Sequence, residues 1–391
     1  MKKVISVFTA TRAEYGLLKP IINKLNKIKE FDVRIVATGA HLSPEFGLTY
    51  KEIEKDGFHI DEKIEILLSA DTPSAISKSM GLVLIGFADY FKRINPDLLI
   101  VLGDRYETLA VSMAAVNQRI PIAHLYGGES TEGAVDESIR HAITKLSYLH
   151  FTSTETYRKR VIQLGEHPDR VFNVGAIGIE NILNEKLLSK DELEKELKID
   201  LSKPYAMACF HPVTLEENTS EKHITALLEA CKAYKNMNFI FTKTNADTDG
   251  RIINRLIDKY AEENDNITAF TSLGTVNYLS VLKHSAMIIG NSSSGLLEAP
   301  SFGIPTINIG ERQKGRIQST SVINCNPNEE EIKQAIKKAL SDSFIKQAKE
   351  TVNPYGDGNT SERIIEVIKE YMLGEKINLK KEFYDVEVVG I

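Results

Sequence analysis

Short apolar runs rich in valine and isoleucine alternate along the chain with longer stretches whose apolar residues recur at helical spacing. That alternation predicts parallel sheets joined by crossover helices. In the first half it predicts strands over 4–9, 33–38, 97–102, 120–126 and 148–152. A helix over 15–28 gathers Leu18, Ile21, Ile22 and Leu25 on one face. The pattern restarts with strands over 205–210, 239–242, 267–270, 287–289 and 306–309. Between the halves, the charged stretch 190–198 reads as a solvated helix. The expected architecture is α/β with two Rossmann-like domains, the boundary falling near Gly175 and dividing 1–174 from 175–360. No solenoid period or low-complexity run interrupts it.

Length agrees with this division, because 391 residues exceed what one hydrophobic core comfortably spans. Hydrophobic and charged fractions of 42% and 26% are those of a globular protein. The net charge of −6, with lysine and arginine spread evenly, offers no basic stripe for a nucleic acid. Cys209, Cys231 and Cys325 show neither CxxC spacing nor an even-numbered framework, which fits free thiols in a reducing compartment and argues against a cysteine metal site. No run approaches the ~20 apolar residues that cross a bilayer, and Arg12 and Glu14 interrupt the apolar start, so a cytoplasmic location is expected.

Ligands of open parallel sheets sit beyond the carboxyl ends of the strands, which directs attention to the residues after each apolar run. TATRAEYG (9–16) puts hydroxyls and Arg12 at a helix start, either as an anion site or as ordinary capping by Thr11. LGDRYE (102–107) brings Asp104 and Arg105 to the end of a fully apolar strand, where Asp104 reads as an N-cap or as a site carboxylate. HLYGGE (124–129) leaves the next strand with two glycines, and DESIRH (136–141) opens a helix. Asp104, Glu129 and Asp136 therefore share one sheet edge, more carboxylates than capping requires, and crowded carboxylates suit acid and base roles. His41 also follows a strand in this half.

In the second half, FHPVT (210–214) ends a strand with His211, either structural or a proton donor near developing charge. GNSSSGLLE (290–298) passes from strand through small residues into a helix. Its amides and hydroxyls suit a diphosphate, and Glu298 is placed to reach ribose hydroxyls. The loop lacks both the GxGxxG of a dinucleotide site and the GK[ST] of a P-loop, so a nucleotide-diphosphate sugar fits better than NAD or ATP. GERQKGR (310–316) adds positive charge on the following turn.

Together these motifs, in order along nearly the whole chain, resemble the UDP-N-acetylglucosamine 2-epimerases. FHPVT resembles their hydrolysing branch, which feeds sialic-acid-type biosynthesis. The resemblance implies a glycosyltransferase-B arrangement with the site in the interdomain cleft, a C-terminal segment 361–391 whose helix crosses back to the first domain, and a homodimer. It implies conversion of UDP-N-acetylglucosamine and water to N-acetylmannosamine and UDP, without a cofactor or metal. By position in the motifs, Asp104, Asp136 and Glu129 would serve as acid and base, and His211 would stabilise the departing phosphate. Arg12, Ser292, Ser293, Glu298 and Arg312 would hold UDP, and His41, Arg105, Tyr126 and Arg140 would line the substrate pocket. Tyr126 stands where many relatives carry glutamate, with Glu129 the candidate replacement.

Three other readings remain at this stage. The same fold serves glycosyltransferases, against which the carboxylate cluster counts. A sensor that binds UDP-sugars without turnover would use the same grip. Within the family, UDP-N,N'-diacetylbacillosamine is an alternative substrate, because the exchange of a few pocket side chains accommodates its second acetamido group and missing hydroxyl.

Overall fold

The computed structural model describes residues 2–68, 72–130, 135–212, 219–244, 250–374 and 377–387. The first sheet contains β1 (Lys3–Thr9), β2 (Phe31–Thr38), β3 (Ile60–Ile64), β4 (Leu98–Leu102), β5 (Ile122–Leu125), β6 (Leu149–Thr152) and β7 (Val171–Asn173). The second contains β8 (Tyr205–Cys209), β9 (Asn238–Thr242), β10 (Ile267–Phe270), β11 (Met287–Gly290), β12 (Thr306–Ile309) and β13 (Val322–Cys325). Their orders are β3-β2-β1-β4-β5-β6-β7 and β10-β9-β8-β11-β12-β13, with every pairing parallel. Both sheets are doubly wound. In each, the direction of winding reverses at one place, between β1 and β4 and between β8 and β11, and there the loops part to leave a crevice.

Central strands are covered on both faces, so every residue of β4 (LLIVL) and β8 (YAMAC) is buried. The three strands that the apolar pattern does not predict, β3, β7 and β13, all lie at sheet edges. One neighbour instead of two leaves room for short or polar sequences such as IDEKI and VINC.

The first helix, Arg12–Leu25, begins three residues before the predicted start. Thr11 caps it, accepting from the Glu14 N–H, while the Glu14 carboxylate reaches back to the cap. Its face of Tyr15, Leu18, Ile21, Ile22 and Leu25 packs in one core with Ile5, Val7 and Ile35, and with Ile364, Ile365, Ile368 and Met372 of the late helix Thr360–Leu373.

That packing decides the division of the chain. One compact unit comprises Met1–Asn181 and Tyr355–Ile391, the other Ile182–Pro354. The changes of unit fall seven residues after the expected 174/175 boundary and six before the expected 360/361 one. The physical reason is local. Ala176 N–H donates to the Tyr355 carbonyl at 2.7 Å, and Glu180 accepts from both the backbone and the hydroxyl of Ser361. These bonds hold the start of the helix Ile177–Asn184 and the chain's return together. Among the described residues no helix is long and apolar enough to cross a membrane.

Candidate active site

In the first unit, the buried guanidinium of Arg140 organises the carboxyl end of the sheet. Arg140 lies on the helix Val135–Leu146, one turn after Asp136. Its Nη2 donates to Asp104 at the end of β4, and its Nη1 donates to the Glu129 carbonyl at 2.9 Å and to Glu137 Oε2 at 3.1 Å. A buried cation is tolerated when several acceptors replace its water, as these do here. Glu129 turns its own carboxylate to the Ser153 hydroxyl at 2.8 Å.

Asp136 stands on the open side of the first turn. Partial loss of solvent, and then the negative charge of Asp104, raise its carboxyl above the ordinary range, while Arg140 and Arg105 oppose the shift. The site thus sets a carboxylate bonded to an arginine beside another whose carboxyl is raised, a pairing that suits acid and base steps. The turn carrying Glu129 depends on Gly128, whose φ is +80°, because a Cβ there would meet the Tyr157 carbonyl oxygen at 2.4 Å. Tyr126 is also left-handed, at φ +68°, and its half-buried phenol accepts from the Gly178 N–H at 3.4 Å.

Other expected residues are engaged within the unit. Arg105 grips the buried Glu107 through two bonds of 3.1 and 3.0 Å. Arg12 is exposed and pairs with Glu52 at 2.9 Å. His41 is fully buried, with Thr9 Oγ1 and Thr49 Oγ1 each 2.9 Å from a ring nitrogen, and burial pushes its pKa down to about 4. It supports the loop after β2 and has no open nitrogen to offer a sugar. Glu14 accepts from the N–H groups of Ala10 and Thr11, its Oε1 is buried without a partner among the described residues, and burial pushes it up to about 7.

The second unit presents a different surface. Asn291, directly after β11, clamps His211, two residues after the end of β8. It accepts from the His211 N–H at 2.7 Å and donates to the His211 carbonyl at 2.8 Å. The ring of His211 lies 2.9 Å from Thr244 Oγ1 and 3.2 Å from Cys209 Sγ. Val213 and Thr214 of the FHPVT motif fall outside the described residues.

Gly290 lets the two strands close at this point, since a Cβ there would sit 1.9 Å from the Cys209 carbonyl oxygen. Arg312 and Gln313 both donate to the Asn291 carbonyl, at 3.0 and 2.9 Å, tying the GERQKGR turn to the serine loop. Ser292 and Ser293 are half-buried at the start of the short helix Ser294–Leu297. Glu298 follows it, pushed upward by burial, with Oε2 shielded and unpartnered among the described residues. The arrangement offers hydroxyls, amides and nearby guanidinium charge to an anion, with one carboxylate awaiting donors such as hydroxyl groups.

Asn291, Glu137, Glu107 and Glu14 are the participants that sequence reasoning did not single out. Asn291 had a usable signal, as a polar residue directly after a buried strand. The glutamates had none, because a glutamate in a helix's first turn is ordinary.

Comparison with known proteins places these motifs in context. The profile of the family described as UDP-N-acetylglucosamine 2-epimerase matches residues 23–369. A Campylobacter jejuni protein named GDP/UDP-N,N'-diacetylbacillosamine 2-epimerase (hydrolyzing) is 45% identical, covering 88% of this chain and 89% of that one. Polysialic acid biosynthesis protein P7 of Escherichia coli is 40% identical over 99% and 98% of the two chains. A Legionella pneumophila UDP-N,N'-diacetylbacillosamine 2-epimerase (hydrolyzing) is 35% identical over 98% and 100%. The solved Neisseria meningitidis UDP-GlcNAc 2-epimerase bound to UDP-GlcNAc superposes with a TM-score of 0.81 at 20% identity, over 94% of this chain and all of that one. The fold is the glycosyltransferase-B type, with two parallel-sheet Rossmann-like units.

Proposed function

Because the chain belongs to the UDP-N-acetylglucosamine 2-epimerase family, we propose that it is a hydrolysing sugar-nucleotide 2-epimerase whose substrate is UDP-N,N'-diacetylbacillosamine. The observation that carries the reaction is the pairing of Asp104, tied to Arg140, with the raised carboxyl of Asp136. The substrate rests on the relatives at 45% and 35% identity, both named for diacetylbacillosamine. This replaces UDP-N-acetylglucosamine as the first expectation. Tyr126 supports the change, since a phenol in place of a carboxylate suits a sugar with fewer hydroxyls.

In the proposed reaction a carboxylate of the Asp104 and Asp136 pair removes the proton from C2 while the C1–O bond breaks and its electron pair leaves with UDP. Water then adds hydroxyl to C1 and a proton returns to C2 from the opposite face. The sum is free 2-epimeric sugar plus UDP. Ser292, Ser293 and Arg312 hold the diphosphate, His211 donates toward the departing phosphate by exchanging the Cys209 thiol at Nε2 for it, and Glu298 accepts ribose hydroxyls. Arg12 joins the grip by exchanging Glu52 for phosphate, and Arg105 and Glu129 complete the sugar side. No step calls for a metal or a redox cofactor.

A second reading, UDP-N-acetylglucosamine to N-acetylmannosamine in sialic-acid-type synthesis, is favoured by the polysialic acid relative. We also infer a homodimer, supported by Ile85, Met113 and Val116, exposed on the neighbouring helices Pro73–Ile94 and Tyr106–Asn117.

The test offers the protein UDP-N,N'-diacetylbacillosamine, its GDP analogue and UDP-N-acetylglucosamine in deuterated water. Nucleotide release and the free sugar are followed by NMR. Release from a diacetamido donor with deuterium at C2 is expected. Preference for UDP-N-acetylglucosamine would establish the second reading, and release without deuterium at C2 would overturn the elimination.

A further inference from the structure

The Arg140 fork is supported by a pair of residues that the reaction above does not use. Glu137 and His141 lie one turn apart on the helix Val135–Leu146, a spacing that puts their side chains side by side. Glu137 Oε2 accepts from Arg140 at 3.1 Å. Its Oε1 accepts from Ser130 Oγ at 3.1 Å and faces His141 Nε2 at 3.2 Å. The other ring nitrogen, Nδ1, is buried and has no hydrogen-bond partner among the described residues.

These contacts determine where the imidazole proton sits. A neutral histidine carries its proton on one nitrogen, and only Nε2 has an acceptor in front of it. His141 therefore donates to Glu137, and Ser130 donates to the same oxygen. With Oε1 occupied by two donors, the carboxylate cannot rotate away, and Oε2 stays aimed at Arg140. Arg140 in turn donates to the Glu129 carbonyl and to Asp104.

We propose that Glu137 and His141 form a positioning pair, which fixes the Arg140 guanidinium and through it the orientation of the Asp104 carboxylate toward the reacting sugar. Neither residue touches substrate in this account. The proposal rests on the 2-epimerase reading for its kinetic consequence, while its geometric content is independent of the substrate. A carboxylate displaced by about 1 Å loses on the order of a hundredfold in rate.

The experiment compares His141→Phe, which keeps the ring's bulk and removes the donor, with His141→Gln, which restores a donor toward Glu137. Two readouts are taken: kcat and KM on the preferred sugar nucleotide, and exchange of the Arg140 guanidinium protons by 15N NMR without substrate. Expected for His141→Phe are a kcat lower by roughly 10- to 100-fold with KM within about twofold, and faster Arg140 exchange. His141→Gln should recover most of both. Wild-type kcat with unchanged exchange in His141→Phe would overturn the pair, as would a Gln variant no better than Phe. If His141→Phe does not fold, His141→Asn, too short to reach Glu137, takes its place with the same expectations. Should the wild type turn over none of the donors, the function falls and the exchange measurement alone decides the positioning.

Discussion

The carboxyl ends of the two sheets share a topology and differ in chemistry. In the first unit, the crevice beside β1 and β4 is crowded with charge: Asp104, Asp136, Glu137, Glu107 and Glu14 against Arg140 and Arg105. In the second, the equivalent place beside β8 and β11 is built from an asparagine clamp, a glycine, serines and a histidine. One fold thus supplies an end crowded with ionisable side chains and an end built mainly from hydroxyls and amides. The difference lies in the few residues after each strand, because the strands themselves are spent on the core.

Removing a carboxylate from the charged end is the most severe way to break this contrast. Asp136→Asn should lower kcat about 10³-fold, as expected for a general acid or base, while UDP affinity measured by calorimetry stays within about twofold. A comparable loss of UDP affinity would mean that Asp136 itself helps to hold the leaving group.

The second test sharpens the charge crowding itself. Glu14 is raised by burial from 4.5 to about 7, so the folded state binds its proton more tightly than the unfolded state. Its contribution to stability is complete below pH 4.5 and is lost as the pH rises through about 7, a change of about 3 kcal/mol. Glu14→Gln, which still accepts from Ala10 and Thr11, should flatten the dependence of Tm on pH across that window. An unchanged slope would refute the shifted carboxyl.

The smallest effect is expected at the asparagine clamp of the second end. Asn291→Ala leaves the His211 N–H and carbonyl without their partner and should cost about 2 kcal/mol, equally at pH 5 and pH 8. KM should rise, and deuterium incorporation at C2 per turnover should stay complete. A strongly pH-dependent cost would show that an ionisable group takes part in the clamp.

Much of this was legible in the chain. The predicted central strands match those of both sheets, and the motifs that follow them collect at the two switch points. Prediction failed at β3, β7 and β13, because an edge strand needs neither length nor apolarity. It stopped short also of the partners of individual side chains. Arg12, expected at UDP, lies against Glu52, and His41, expected near the sugar, is sealed between two threonines. A side chain's motif says which loop it belongs to, and its partners come from loops distant in sequence.

By itself, then, the sequence determined the alternation of strands and helices, the two-Rossmann class, the order of the motifs and the family. Those follow from local periodicity and from residue types at fixed spacing. Only the tertiary structure decided that the return to the first unit begins at Tyr355, that Arg140 pairs with Asp104, that Asn291 holds His211 and that Glu137 lies against His141. Each of these depends on strand order and on burial, because the strength of an ion pair or hydrogen bond is set by which groups the fold brings together and how much water it leaves them.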